Sequence, residues 1–365
     1  MLRAYKYKLY HSKRNRKLGQ QINIAASVWN HTVALQRRYY KITGKYASAN
    51  RIKKLYTKLK KLKCFAFWSG LGSQAVQDVV ERVDRAYQAF FDYKKGKTSL
   101  RKSPPKFKRR QKYKSFTLKQ AGYKLFEDQR TIAINGVRFR YHKSRNTEGV
   151  IKTITVRRTP VGDYYVAIVC EVPDVQILPR TGKAVGMDFG LKDFLTLDNG
   201  TKIESPLWYK NAISAVKKAN RELSKCQKNS NHRRAAKRKL AKVHEHIANQ
   251  RRDWFFKLAH WLCGEYATIC IEDLNLKGMQ RLWGRKGSDL AFAEFVQILE
   301  YVAFTTGVEV LKVDRWYPSS KLCHVCGTLY SDLTLIEREW TCECCNTHHD
   351  RDINAAINIK AAALA

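Results

Sequence analysis

Not one of the first 77 residues is an Asp or a Glu, although 18 of them are Lys or Arg. The first acid is Asp78, and over all 365 residues 31 acids face 70 Lys and Arg, a net charge of +39. Self-repulsion on that scale destabilises a compact state unless a polyanion offsets it, which argues against a merely solvated surface and for a nucleic-acid partner. Long apolar runs are missing too: no stretch of about 18 apolar residues occurs, so no membrane span is expected. The opening Met1-Leu-Arg-Ala-Tyr-Lys lacks the apolar core of a signal peptide. Nor do the ten cysteines form an evenly spaced disulfide framework: Cys64, Cys170, Cys226, Cys263 and Cys270 are scattered, and five more crowd between 323 and 345. A reducing, cytoplasmic setting is therefore expected.

Aromatic residues accompany the charge of the acid-free segment (Tyr5, Tyr7, Tyr10, Trp29, Tyr39, Tyr40, Tyr46 and Tyr56). Such a mixture suits backbone tracking with base stacking, or a core in which the aromatics are simply buried; about half are expected in each role. Residues 2–10 alternate as a half-buried strand, and from about 13 to 103 the apolar spacing is helical. Gly96 and Pro104-Pro105 end that block. Strand signals follow at Ser115 to Lys119, at Ile132 to Tyr141 around an Asn135-Gly136 turn, at Ile151 to Arg158 and at Tyr164 to Val172. Short antiparallel strands of this kind suggest a small barrel into which the helical block is inserted. A break at Pro173 to Pro179 precedes a second pattern: strands at Ala184 to Asp188, Asp193 to Leu197, Ala267 to Ile271 and Val308 to Val313, helices over about 210–263 and 289–304. Strands alternating with helices indicate an α/β layer.

The cysteine cluster is the most specific signal. Cys323-x2-Cys326 and Cys342-x2-Cys345 are separated by 15 residues, which fits a four-thiolate zinc site. Two residues between thiolates let one tight knuckle turn both sulfurs onto a tetrahedral ion. A closed site of four thiolates leaves no open position, so one structural Zn²⁺ is expected. Cys344 is surplus, because pairing it with Cys342 gives the wrong spacing. His348 and His349 are expected at the surface or beside the ligands.

The acids are fewer and less explicit. Asp188 ends one expected strand, Glu272-Asp273 ends another, and Asp350 and Asp352 precede a short helix from Ile353 to Leu364. Each has an ordinary role open to it, as a turn former or, for Asp352, a helix N-cap. Taken together, carboxylates after buried strands are costly unless they hold a cation. Two or three sharing a site suit paired Mg²⁺, which activates water for phosphodiester hydrolysis. Asp188-Phe-Gly matches the kinase metal-binding tripeptide, but no Gly-rich or catalytic loop accompanies it.

Several segments together resemble the TnpB family, RNA-guided nucleases of bacterial insertion sequences related to the type V CRISPR effectors. They are the basic start Tyr5-Lys-Tyr-Lys-Leu-Tyr, Pro105-Lys-Phe-Lys, Gly186-Met-Asp-Phe-Gly, Ile271-Glu-Asp-Leu-Asn, Ser319-Ser-Lys-Leu-Cys-His-Val-Cys-Gly and Asp350-Arg-Asp-Ile-Asn-Ala-Ala-Ile-Asn. The resemblance implies a multidomain α+β and α/β protein, with a wedge β-barrel (1–12 and 106–180) interrupted by a helical recognition domain (13–105). It implies further an RNase H-like, RuvC-type nuclease domain (181–318 and 348–365) with a zinc-ribbon insertion (319–347). Matched position by position, its catalytic, Mg²⁺-binding acids fall on Asp188, Glu272 and Asp352, and its zinc ligands on Cys323, Cys326, Cys342 and Cys345. The implied activity is RNA-guided DNA cleavage beside a short flanking motif, by a monomer bound to a transposon-derived guide RNA and a double-stranded target DNA. The alternative on the same scaffold is a nuclease-inactive, RNA-guided repressor. Asn346 departs from the family, which carries Gly at that place in the second knuckle.

Overall fold

The alternating basic and aromatic residues at the start form strand β1 (Leu2–Lys8), which buries Tyr5 and Tyr7 and leaves Ala4 and Lys6 in solvent. The computed structural model describes residues 1–173, 182–273, 290–334 and 337–365, in two units, Met1–Asp174 and Val175–Ala365. The expected break at Pro173 to Pro179 lies, beyond Pro173 itself, outside the described residues. No helix among the described residues is long and apolar enough to cross a membrane.

In the first unit β1 is followed by helices α1 (Asn15–Thr43), α2 (Ala49–Leu59) and α3 (Ser73–Lys94), with a 3-10 segment at Lys63–Leu71. Strands β2 (Ser115–Leu118), β3 (Tyr123–Phe126), β4 (Thr131–Ile134), β5 (Val137–Arg140), β6 (Val150–Arg158) and β7 (Tyr164–Glu171) complete it. β1, β7, β6 and β2 make one antiparallel sheet in that order, and β3, β4 and β5 make a second. Asn135 (φ 47) and Gly136 (φ 80) both take the left-handed conformation that a tight two-residue hairpin requires. Of the aromatics named above from the acid-free segment, Tyr5, Tyr7, Trp29 and Tyr56 are buried in one core, whereas Tyr10 and Tyr40 stand exposed. The Tyr10 ring is already stacked on His142, with centroids 3.7 Å apart.

The second unit is built on a five-stranded sheet. Strands β8 (Ala184–Asp188), β9 (Asp193–Leu197) and β10 (Lys202–Glu204) form an antiparallel meander. Helices α4 (Trp208–Asn211), α5 (Ile213–Lys225) and α6 (Asn231–Glu265) lead to β11 (Thr268–Glu272). Helix α7 (Phe292–Thr306) and strand β12 (Glu309–Val313) follow. The order across the sheet is β10-β9-β8-β11-β12, and β11 runs parallel to both β8 and β12. Central parallel strands are covered on both faces, so they read as continuous apolar runs. Val185, Met187, Ile269 and Ile271 pack with Leu258 and Leu262 of α6 and Phe295 and Leu299 of α7. After β12 come the hairpin β13 (Glu339–Thr341) and β14 (His348–Asp350), then helix α8 (Arg351–Leu364). Cys270 and Val313 meet Ile359 of α8, which therefore covers the opposite face of the sheet.

Candidate functional site

Ladder register brings the first two acids together. Met187 of β8 pairs with Ile271 of the parallel β11, so the next residues along, Asp188 and Glu272, end neighbouring strands at the same edge. Side chains alternate along a strand, so Gly186 and Asp188 share one face, as do Cys270 and Glu272. That face is the one α8 covers. A Cβ on Gly186 would lie 2.0 Å from the Ala356 carbonyl oxygen and 2.8 Å from Lys360 Cβ, which shows how closely the helix backbone approaches β8. The glycine permits the contact, and the contact sets the first turn of α8 beside Asp188.

Two acids in that first turn have different tasks. Asp350 is the N-cap: its carboxylate accepts from the amides of Asp352 (3.0 Å) and Ile353 (3.1 Å). Lys202 of β10 pairs with it at 2.6 Å. Burial pushes the Asp350 carboxyl up, but Lys202 and the two amides outweigh it and hold the group below the usual carboxylate range. The sequence had offered the capping role to Asp352, with a helix from Ile353. The helix begins instead at Arg351, because β14 runs unbroken to Asp350. This leaves Asp352 uncommitted to the backbone, and its carboxylate acts on Asp188. Burial first, then the fields of Asp352 and Glu272, push the Asp188 carboxyl up to about 7. Burial and the neighbouring Asp273 raise that of Glu272. Asp273 points away into an ion pair with Arg315. Asp188 thus lies in the fields of Asp352 and Glu272, and the Arg338 guanidinium stands 3.4 Å from Asp352. Carboxylate oxygens are hard donors of the kind that a divalent cation takes.

The cysteines form a separate centre. The Sγ atoms of Cys323, Cys326, Cys342 and Cys345 all lie within 4.8 Å of one another, with Cys323–Cys345 at 3.6 Å and Cys326–Cys342 at 3.5 Å. Tetrahedral zinc with bonds of about 2.3 Å separates its sulfurs by roughly 3.8 Å, so the four fit that ion. Cys344 is exposed and outside the group. The two knuckles repeat one hydrogen-bond pattern: Gly327 N–H to Cys323 O (2.9 Å) and Cys323 N–H to Thr328 O (2.9 Å) in the first. Asn346 N–H to Cys342 O (2.8 Å) and Cys342 N–H to Thr347 O (2.9 Å) repeat it in the second. Gly327 (φ 74) and Asn346 (φ 54) are both left-handed, a conformation Asn tolerates better than most residues, so the departure at Asn346 leaves the turn intact. Thr328 and Thr347 sit 3.3 and 3.2 Å from Cys326 and Cys345 and lower those thiols. His349 is buried with Nε2 3.1 Å from Cys323 Sγ, whereas His348 is exposed.

The link between the two centres escaped the sequence. Asn354 and Asn358, one turn apart on α8, are buried, and both donate to the Leu322 carbonyl (2.8 and 2.6 Å); Asn358 also donates to Ser319 O (2.8 Å). Asn354 Oδ1 accepts from the His324 amide at 3.1 Å. The first knuckle is therefore latched to the helix that carries Asp352. Two amides spaced i, i+4 on the apolar side of a helix were the available signal, since buried amides require partners.

The sheet and its edge of acids define a nuclease-like α/β unit with a cysteine ribbon. Residues 167–282 match a family profile described as "Probable transposase", and residues 292–359 match the Cas12f1-like TNB domain. A relative from Streptomyces pristinaespiralis named "Putative RNA-guided DNA endonuclease" is 32% identical over 100% of this chain and 90% of its own length. One from Escherichia coli K12, similarly named with the suffix InsQ, is 27% identical over 92% of this chain and 85% of its own length. The chain belongs to the TnpB family. Its fold is similar to that of Cas12f1 in a complex with sgRNA and target DNA, with a TM-score of 0.58 at 15% identity over 96% of this chain and 83% of that one.

Proposed function

We propose that this protein is an RNA-guided DNA endonuclease of a transposable element, hydrolysing target DNA beside a short flanking motif. The observation that supports the reading is that β8 and β11, in parallel register, end on Asp188 and Glu272, while the Asp188 carboxyl feels the fields of Glu272 and Asp352. In this reading the three acids hold two Mg²⁺, which when bound would polarise water and stabilise the leaving 3′ oxygen. Asp188 and Glu272 are fixed by the ladder, and Asp352 by the close seat of α8 on Gly186. Arg338, 3.4 Å from Asp352, would have to yield that contact to a bound cation. Cys323, Cys326, Cys342 and Cys345 would hold one structural Zn²⁺. The sheet with α8 is the RNase H-like, RuvC-type domain, and the cysteine hairpin is its ribbon insertion.

The first unit is read as wedge barrel and helical recognition domain, with its acid-free basic segment on the guide RNA. Pairing of guide with target then reads sequence, while protein reads flank and shape. A monomer in the bacterial cytoplasm completes the assignment. The relatives' names and the unbroken set of acids favour cleavage over the nuclease-inactive repressor. Protein purified with its co-expressed RNA, given a plasmid library with a randomised flank and Mg²⁺, should cut next to one preferred flank. Tight, guide-dependent binding without cutting would instead assign the repressor role.

A further inference from the structure

Trp316 is 85% exposed, more than any other large hydrophobic side chain among the described residues. Single exposed hydrophobics are ordinary on protein surfaces, so exposure alone decides nothing. Its setting is less ordinary. Val313, the last residue of β12, pairs with Glu272, and its carbonyl accepts from the Asp273 amide at 2.9 Å. The turn that follows is held on both sides of the indole. Arg315 pairs with Asp273, and Tyr317 packs on Cys270, Val313 and Ile359. Asp314 closes the turn by accepting from the Trp316 amide through Oδ1 (2.8 Å) and from the Tyr317 amide through its carbonyl (3.0 Å). A rigid turn thus presents a flat apolar ring to water at the strand edge where the acids gather.

We propose that Trp316 is a stacking platform for an unpaired nucleobase of the DNA strand entering the carboxylate centre. Every base offers a π face, so an indole can grip a strand of any sequence, as a guided nuclease requires, and such stacking is lost when bases remain inside a duplex. The inference deepens the nuclease reading and rests on it: the ring would hold the strand beside the acids while Arg315 stays engaged with Asp273. Trp316 is then a substrate-binding residue, with no part in proton transfer or cation binding.

The test uses the intact ribonucleoprotein and a target whose protospacer is pre-opened as a bubble. Trp316→Ala should raise KM for cleavage about tenfold or more, with kcat changed far less, and Trp316→Phe should restore most of the loss. Binding of the same DNA in an Asp188→Asn background should weaken in parallel. An abasic site placed at the stacked position should weaken wild-type binding but add little to Trp316→Ala. Equal KM and equal binding for wild type and Trp316→Ala would overturn the proposal. So would a loss in Trp316→Ala that every abasic position adds to in full, since the ring would then act without touching a base. Wild-type protein that binds the strand through Trp316 but never cuts would retire the nuclease reading and leave the platform standing.

Discussion

The four-cysteine knot and the three-acid edge lie in the same unit but are specified in opposite ways. Each knuckle is local: two thiolates, a left-handed residue and a threonine within six positions close a turn that needs little from elsewhere. The acids stand on three elements spread over more than 160 residues, and nothing near any one of them marks it as functional. In the proposed site, strand register and a helix seat are what would bring them together. A local site is written as spacing; a topological one is written as packing.

Dependence between the two should run one way. Stripping zinc, or Cys326→Ser, removes a contribution that in small zinc modules amounts to about 10–16 kcal/mol and should unfold the knuckles. Through Asn354 and Asn358 that loss should free the start of α8. Cleavage should fall to background and magnesium protection of α8 amides from hydrogen exchange should vanish. The converse change, Asp188→Asn, should leave one zinc per chain by metal analysis. Zinc loss from Asp188→Asn would break the asymmetry.

A smaller perturbation targets packing alone. Gly186→Ala adds a methyl where the Ala356 carbonyl already lies 2.0 Å away, and overpacking of this kind costs about 1–3 kcal/mol. A lower melting temperature and a raised Mg²⁺ requirement are expected, with zinc content unchanged. Cleavage at the wild-type rate and Mg²⁺ dependence would mean that α8 does not need this seat.

The smallest effect is electrostatic. The Asp188 carboxyl is held near 7 in the folded protein, above the ordinary value of about 4. Without divalent cation, its contribution to stability is present below about pH 4 and is lost as pH rises through about 7. In Mg²⁺-free buffer, wild type should lose melting temperature relative to Asp188→Asn between pH 5.5 and 8. Added Mg²⁺, which takes the ionised form, should recover more at pH 8 than at pH 6. A difference that is flat across this range would show Asp188 to be ionised throughout.

How much could be read beforehand follows the same division. The cysteine cluster needed only its spacing, and β8, β9, β11 and β12 were visible as short apolar runs, whereas β13 and β14 were not. β3 was missed because Tyr123–Phe126 is four residues long and carries no alternation strong enough to stand out. Interleaved aromatics in the acid-free segment looked alike in sequence, yet burial divides Tyr5 and Tyr7 of β1 from Tyr10 beyond its end and Tyr40 on α1, since only the packing of each element decides which face is inside. Resemblance pointed to Asp188, Glu272 and Asp352, whereas spacing could not separate Asp352 from Asp350. The physical distinction is a hydrogen bond: the helix takes its cap from Asp350, which leaves Asp352 without that role.

Asp350→Asn and Asp352→Asn compared side by side in Mg²⁺-dependent target cleavage test that distinction most directly. Asn caps a helix about as well as Asp, so Asp350→Asn loses only the Lys202 ion pair and should cut within a few-fold of wild type. Asp352→Asn should bind guide and target normally and leave the DNA uncut. Cleavage by Asp352→Asn, or its loss in a folded Asp350→Asn protein, would contradict the account.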